Sequence, residues 1–129
     1  MRIMCVDNSK RDLRRIMKCC LKAPQVSDVV GFTTEKEALT WLRDHPCDIA
    51  FMETLKAGFD GFQLAANAKE LCPEIAVIFV TDDDSHSLEA FELHAKGYLL
   101  KTSAMNRIVK EIEYVEIAMA NRRKSGFKC

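Results

Sequence analysis

The sequence predicts an α/β fold in which a parallel sheet of five strands carries helices on both faces. Short apolar runs that are typical of buried strands alternate with amphipathic segments of helical period along the whole chain. The run Ile75–Val80 is almost continuously apolar and β-branched, which is typical of a strand buried on both faces. Five such β–α pairs, joined by right-handed crossovers, form a doubly wound sheet.

Each predicted element has its own signal. Ser9 is a plausible cap for the first helix, and Thr34 with Glu37 has the spacing of a capping box for the second. Pro46 and Pro73 end the second and third helices. The predicted strands are Arg2–Val6, Val26–Phe32, Ile49–Met52, Ile75–Val80 and Gly97–Leu100, and the predicted helical faces are Leu13–Leu21, Ala38–Leu42, Leu64–Leu71, Leu88–Phe91 and Met105–Met119.

Length and composition indicate one globular domain, which we place at residues 1–122, followed by a C-terminal tail at 123–129. The chain has 129 residues, 48% hydrophobic residues and a formal net charge of zero. A neutral domain gives no electrostatic case for direct nucleic-acid binding. No apolar stretch approaches the ~18 residues of a membrane span, and the N-terminus does not resemble a signal peptide. We therefore expect a cytoplasmic protein without a membrane anchor.

The six cysteines do not predict a metal site or a disulfide framework. None forms a Cys-x-x-Cys pair, and the three histidines have no ligand spacing with them. We interpret them as buried or incidental thiols. The vicinal pair Cys19–Cys20 leaves a redox site open as an alternative, although no neighbouring residue argues for a lowered thiol pKa.

Polar side chains stand at the carboxyl ends of four predicted strands. They are Asp7 and Asn8 after the first strand, Glu53 after the third, Thr81 after the fourth and Lys101 after the fifth. The carboxyl ends of parallel strands meet at one edge of the sheet, where open α/β sheets bind their ligands. This pattern predicts a functional, or formerly functional, cluster at that edge.

With these residues in place, the chain resembles a response-regulator receiver domain of the CheY-like (flavodoxin-like) type. The resemblance implies a sheet of strand order 2-1-3-4-5 with five helices. The segments Ala90–Glu92 and Tyr98–Lys101 look most similar to receivers that precede LytTR-type DNA-binding domains of transcription regulators. The segments that carry the family resemblance are Ile3–Asn8, Phe51–Glu53, Gly58–Gly61, Val77–Thr81 and Gly97–Lys101.

The resemblance assigns a role to each residue of the cluster. Asp7 and Asn8 match the pair of acidic residues that help to hold Mg²⁺, and Glu53 stands where receivers have the aspartate that accepts a phosphoryl group. Thr81 matches the hydroxyl and Lys101 the amine that contact the phosphoryl group. In the same comparison, Tyr98 matches the aromatic switch residue whose inward or outward position reports activation, and Thr102 replaces a proline that often follows a cis peptide bond. We expect a trans bond here, because a cis bond before a non-proline residue costs about 3 kcal/mol.

Two departures from the family pattern make ordinary phosphorylation doubtful. Asn8 removes one negative charge from the metal site, so any Mg²⁺ site formed with Asp7 and Glu53 should be weak. Glu53 displaces the acceptor oxygens, and a misplacement of about 1 Å can cost on the order of a hundredfold in rate. We expect no cofactor other than a weakly held Mg²⁺.

The function that follows is an atypical receiver, or pseudo-receiver, of a two-component system, which acts through protein–protein interactions and is not an enzyme. Glu53 either imitates the phosphorylated state, incompletely because a carboxylate has less charge than a phosphate, or forms an inert ion pair with Lys101. The alternative function is Mg²⁺-dependent self-phosphorylation on Glu53 or a rim aspartate, among which Asp82 is the best candidate for extra negative charge near Lys101. A flavin-binding flavodoxin is disfavoured, because no Ser/Thr/Gly-rich phosphate loop follows the first strand.

The resemblance also implies an output surface formed by the fourth helix, the fifth strand and the fifth helix. Phe91, Tyr98 and Tyr114 lie on these segments. We expect this surface to form a two-fold homodimer, although a monomer remains open. A sensor histidine kinase or another signalling protein is the expected partner.

Overall fold

The sheet topology explains how distant segments of the chain meet at one edge. The computed structural model describes residues 1–126, with side chains to residue 124. Five parallel strands form a sheet in the order β2-β1-β3-β6-β7, and β4 and β5 pair as a separate antiparallel ribbon. Without the ribbon, this order is the predicted 2-1-3-4-5. The strands are β1 (Arg2–Val6), β2 (Asp28–Phe32), β3 (Ile49–Met52), β4 (Leu55–Lys56), β5 (Phe59–Asp60), β6 (Ala76–Thr81) and β7 (Gly97–Leu100).

The helices begin at residues that satisfy their free backbone N–H groups. Ser9 Oγ accepts a hydrogen bond from the Asp12 N–H, and Thr34 Oγ1 accepts one from the Glu37 N–H. Asp60 caps the third helix in the same way. These contacts confirm the predicted caps. The helices are α1 (Lys10–Cys20), α2 (Glu35–Asp44), α3 (Gly61–Leu71), α4 (Ser87–Glu92), α5 (Lys101–Ala104) and α6 (Ile108–Gly126), and a 3₁₀ turn at Asp84–His86 precedes α4.

The segment after β7 differs from the five-helix pattern that the resemblance implies. The short helix α5 begins at Lys101 itself and contains Thr102, so the structure has six α-helices in the described range. Threonine retains the backbone N–H that proline lacks, and its φ angle is not fixed by a ring. All peptide bonds of residues 1–126 are trans, as predicted for Thr102.

The core consists of two apolar layers, one on each face of the sheet. Successive residues of each strand face opposite layers. Ile3 and Phe51 pack with α1 and α6, whereas Met4 and Phe79 pack with α2 and α3. The cysteines contribute to these layers as free thiols in the described part of the chain, and burial raises the pKa of Cys47 to about 12. Cys129 lies outside the described residues.

The ribbon and the start of α3 fix the backbone around Glu53. A Cβ atom on Gly61 would lie 1.7 Å from the Glu53 carbonyl oxygen, so only glycine permits this close approach. The Gly61 N–H donates a hydrogen bond to the Thr54 carbonyl at 3.0 Å. The ribbon turns at Gly58, which has a φ of 75°. The tip of β3 is therefore held by backbone contacts to α3.

The C-terminal helix runs past the predicted domain boundary. Helix α6 extends from Ile108 to Gly126 and includes residue 123, where we place the start of the tail. Residues 127–129 of that predicted tail lie outside the described residues. Within the described range, no helix is both long enough and apolar enough to cross a membrane.

Candidate functional site

Lys101 lies at the centre of a cluster of three carboxylates. Its Nζ is 2.7 Å from Glu53 Oε2, 2.8 Å from Asp12 Oδ2 and 3.0 Å from Asp7 Oδ2. Asp7 and Glu53 are each 1% exposed. We call these four residues the lysine cluster. Its formal charge is −2 when all four groups are ionised.

Local structure places each member of the lysine cluster at the same edge of the sheet. Asp7 and Glu53 follow the last residues of the neighbouring strands β1 and β3. Ser9 holds the loop between β1 and α1, because its N–H donates to Asp7 Oδ1 at 2.8 Å while its hydroxyl caps α1. Capping sets the first turn of α1, and Asp12 in that turn faces Lys101.

Burial and ion pairing act in opposite directions on the carboxyl groups of the lysine cluster. Burial raises the pKa of Asp7, against the lowering effects of the Ser9 N–H and Lys101. The hydrogen bond from Lys101 lowers the pKa of Asp12. For Lys101, burial lowers the pKa, but the three carboxylates outweigh it and the net pKa is raised. Lys101 therefore stays charged at neutral pH.

Glu53 also begins a second set of contacts, which consists of neutral groups. Its Oε1 accepts a hydrogen bond from the Thr54 N–H at 2.8 Å and lies 3.3 Å from Thr54 Oγ1. Thr54 Oγ1 in turn lies 3.1 Å from Thr81 Oγ1. Both threonines are completely buried. Thr81 thus meets Glu53 through Thr54.

The same contacts continue to the aromatic residue Tyr98. Thr81 Oγ1 accepts a hydrogen bond from the Asp83 N–H at 3.2 Å, and the Tyr98 hydroxyl donates to the Asp83 carbonyl. The Tyr98 ring is partly buried, with its centroid 6.4 Å from that of Phe79. Burial raises the pKa of its hydroxyl. Tyr98 therefore points inward, against the sheet.

Asp82, the best rim candidate for extra negative charge near Lys101, forms its ion pair with another lysine and has none with Lys101 among the described residues. Its side chain is 61% exposed and forms an ion pair with Lys56 of the ribbon. That hydrogen bond with Lys56 lowers the pKa of Asp82. Asp12 occupies the position beside Lys101 instead.

The structure joins most of the residues predicted for the site. Asp7, Glu53 and Lys101 meet directly, and Thr81 meets them through Thr54. Asn8 is exposed, and none of the described hydrogen bonds or ion pairs connects its side chain to the lysine cluster. Sequence reasoning missed Asp12 and Thr54. The Ser9 cap was the available signal for Asp12, because it makes Asp12 a first-turn residue beside the end of β1.

The lysine cluster matches a divalent cation in donor type but not in arrangement. Carboxylate oxygens suit Mg²⁺, and Asp7 and Glu53 are buried carboxylates at the same edge of the sheet. However, Lys101 Nζ contacts both carboxylates and occupies the space between them. No group of three or more His, Cys, Asp or Glu side chains within the described residues has an arrangement that could hold a metal ion.

Residues of the predicted output surface are partly accessible. Phe91 on α4 is 78% exposed and Tyr114 on α6 is 53% exposed. Leu88 and Ile117 on the same two helices are also exposed large apolar side chains. Tyr98 is partly buried. Strand β7 follows α4 in the chain and ends at Leu100, directly before Lys101 of the lysine cluster.

The fold and the polar cluster define a receiver-type α/β domain. The family model of the response regulator receiver domain matches residues 3–113, so the chain belongs to that family. It is a receiver domain of a two-component response regulator, and the predicted resemblance is confirmed.

Comparison with individual proteins agrees with this assignment. Sensory transduction protein LytT of Enterococcus faecalis is 27% identical over 113 residues, which are 88% of this chain and 47% of LytT. Transcriptional regulatory protein YpdB of Escherichia coli is 28% identical over 107 residues, which are 82% of this chain and 44% of YpdB. The chain thus spans less than half the length of these two curated relatives.

A solved structure shares the fold over almost the whole chain. The response regulatory domain of protein mrkE from Klebsiella pneumoniae superposes with a TM-score of 0.83 at 24% identity, covering 94% of this chain and 99% of that one. At this identity the match supports the fold alone.

Proposed function

We propose that this receiver signals through protein–protein interactions without phosphorylation of the usual position. The observation that carries the proposal is the buried Glu53 carboxylate, whose Oε2 lies 2.7 Å from Lys101 Nζ. Its negative charge occupies the place where the resemblance expects a phosphoryl oxygen. The domain is then an interaction module rather than an enzyme.

Contacts on the other side of Glu53 support imitation of the phosphorylated state over an inert ion pair. An inert pair needs only Glu53 and Lys101, whereas here Glu53 Oε1 also continues to Thr54 and Thr81. Tyr98 points inward, and its hydroxyl donates to the Asp83 carbonyl. An inward Tyr98 is the orientation that we expect if Glu53 imitates the phosphorylated state. Imitation is partial, because one carboxylate offers less charge and fewer acceptor atoms than a phosphate.

Intact-mass measurement after incubation with acetyl phosphate and Mg²⁺ tests phosphorylation independence. We expect no phosphoryl adduct on the wild-type protein. The alternative function, self-phosphorylation, is favoured by one observation, namely that residue 53 keeps a carboxylate at the end of β3 and that this carboxylate lies 2.7 Å from Lys101 Nζ. An adduct that disappears in Glu53→Gln would establish that alternative, with Glu53 as the acceptor. An adduct that persists in Glu53→Gln but disappears in Asp82→Asn would identify the rim aspartate Asp82 as the acceptor.

A weak Mg²⁺ site at Asp7, Asn8 and Glu53 is part of the proposal. The cation would have to displace an ammonium that contacts three carboxylates, while Asn8 contributes no charge. We expect the backbone amide signals of these three residues to shift in an NMR titration only at millimolar Mg²⁺. Saturation at micromolar Mg²⁺ would contradict a weakened site.

We also propose that a homodimer forms through α4, β7 and α6. Exposed Phe91 and Tyr114 on this surface support the proposal, with Tyr98 between them in the chain. Sedimentation at micromolar concentration should give a dimer for the wild-type protein and a monomer for Glu113→Lys, which reverses a charge on α6. Glu37→Lys, on α2, is the matched control and should remain dimeric. A monomeric wild-type protein would overturn the proposal.

The partners and location of the whole protein follow by analogy with its relatives. Two of them are named as a sensory transduction protein and a transcriptional regulatory protein. We propose that the chain acts as the receiver domain of a cytoplasmic regulator of transcription. This regulator receives its input from a histidine kinase or another signalling protein. The neutral net charge supports a role for this domain without direct nucleic-acid contact.

A further inference from the structure

We propose that Thr54 is the positioning residue that connects Glu53 to Thr81 and thereby holds Tyr98 inward. This inference rests on the proposed function, because it explains how an unphosphorylated Glu53 affects the switch residue. Thr54 directly follows Glu53 and is completely buried, and its hydroxyl lies against Glu53 Oε1, whereas Lys101 contacts the other oxygen, Oε2. Its hydroxyl therefore acts on the neutral side of Glu53.

The directions of the hydrogen bonds follow from the number of protons that each group has. Thr54 Oγ1 lies within hydrogen-bond distance of both Glu53 Oε1 and Thr81 Oγ1, at 3.3 and 3.1 Å. A hydroxyl has one proton and an ionised carboxylate only accepts. We assign the Thr54 proton to Glu53, because a carboxylate is a stronger acceptor than a hydroxyl, and the Thr54 oxygen then accepts from Thr81.

The same argument fixes the remaining bonds up to the aromatic ring. Because the Thr81 proton points to Thr54, Thr81 Oγ1 is free to accept from the Asp83 N–H at 3.2 Å. The Asp83 carbonyl then accepts from the Tyr98 hydroxyl. The result is a one-directional series of hydrogen bonds from Tyr98 through Asp83, Thr81 and Thr54 to Glu53. We call this series the hydroxyl relay.

The hydroxyl relay is sensitive to the charge of residue 53, at the end opposite Tyr98. A carboxylate at position 53 accepts from both the N–H and the hydroxyl of Thr54. With glutamine, Lys101 attracts the amide oxygen, so the amide NH₂ faces the Thr54 N–H and two donors oppose each other. Loss of the carboxylate thus removes the acceptor that orients Thr54, Thr81 and, through Asp83, Tyr98.

Fluorine NMR of protein labelled with 3-fluorotyrosine tests the role of Thr54. Tyr98 and Tyr114 are the two tyrosines of the chain, so the Tyr98 resonance is assigned by its loss in Tyr98→Phe. Thr54→Val removes the hydroxyl but keeps the shape and the backbone N–H, and Thr54→Ser keeps the hydroxyl. Thr40→Val is the control, because the Thr40 hydroxyl donates to the Lys36 carbonyl on exposed α2.

We expect a single inward Tyr98 resonance in the wild-type protein, Thr54→Ser and Thr40→Val. In Thr54→Val the ratio of inward to outward Tyr98 should fall about fivefold, the effect of losing one net hydrogen bond. If Glu53→Gln changes the Tyr98 resonance and Thr54→Val does not, Thr54 has no positioning role while the proposed function stands. If neither variant changes it, Glu53 does not control Tyr98 and both proposals fail.

Discussion

The two sides of the Glu53 carboxylate differ in chemistry and therefore in what they control. Oε2 faces the lysine cluster, where three carboxylates surround one ammonium group, and Oε1 faces the neutral hydroxyl relay. Interactions between buried charges are strong and respond to pH, whereas single neutral hydrogen bonds contribute about 1 kcal/mol each. We infer that the lysine cluster determines the stability of the site and that the hydroxyl relay determines the orientation of Tyr98.

Removal of Lys101 should produce the largest effect. Lys101→Met leaves three neighbouring carboxylates without their common cation, and breaking a buried ion pair costs about 3–5 kcal/mol. The Lys101 side chain is 12% exposed, so solvent screens it little. Urea denaturation should show the loss, with Lys18→Met on the exposed side of α1 as the control. A loss comparable to that of the control would contradict the importance of the lysine cluster.

Gly61→Ala should disturb both sides of Glu53 together, because it moves their shared backbone. The added Cβ would meet the Glu53 carbonyl at 1.7 Å, and overpacking of this kind costs roughly 1–3 kcal/mol. Urea denaturation measures the stability, and the Tyr98 fluorine resonance measures the relay. Gly58→Asn is a suitable control, since no atom lies within 4 Å of a Cβ there and asparagine tolerates its positive φ. Unchanged stability of Gly61→Ala would refute the close approach.

Asp7→Asn and Asp12→Asn should change stability in opposite directions at neutral pH, each by about 1 kcal/mol. Burial raises the pKa of Asp7, so its ionised form is disfavoured in the folded state and the amide should stabilise the protein. The lowered pKa of Asp12 means that its ionised form is favoured, so the amide should destabilise the protein. Thermal unfolding of both variants at pH 7 tests the signs, and two changes of the same sign would contradict the prediction.

The pH dependence separates these two carboxyl groups further. The contribution of Asp12 is present above its ordinary pKa of 3.8 and is lost as the pH falls through its lowered value. The stabilisation by Asp7→Asn should disappear as the pH falls through the raised pKa of Asp7 toward 3.8. Both differences from the wild-type protein should therefore shrink in acid. A difference for Asp7→Asn that grows below pH 4 would be inconsistent with a buried, disfavoured carboxylate.

The sequence predicted the fold and the charged part of the site, because both depend on patterns of neighbouring residues. Alternating apolar runs located every strand of the main sheet, and the strand ends located Asp7, Glu53, Thr81 and Lys101. Asp12 and Thr54 were missed for a physical reason. Their roles depend on where side chains point after packing, since Asp12 turns from α1 toward Lys101 and Thr54 bridges β3 and β6. The Ser9 cap indicates that Asp12 lies in the first turn of α1, but no sequence signal gives the direction of its side chain or of Thr54.

The short elements around the site also could not be predicted from the sequence. The ribbon of β4 and β5 has two residues in each strand, which is too short to produce a periodic pattern. Helix α5 has four residues, which are also too few to show a helical period. Asp82 was selected because it follows the fourth predicted strand, but its ion pair is with Lys56 on the ribbon, which the sequence did not predict.

The fluorine resonance of Tyr98, recorded before and after addition of acetyl phosphate and Mg²⁺, tests the central claim most directly. The claim is that Glu53 holds the switch inward without a phosphoryl group. The account predicts an inward Tyr98 in the untreated wild-type protein, no change after addition, and an outward population in Glu53→Gln. An outward Tyr98 in the untreated protein that moves inward only after addition would contradict it.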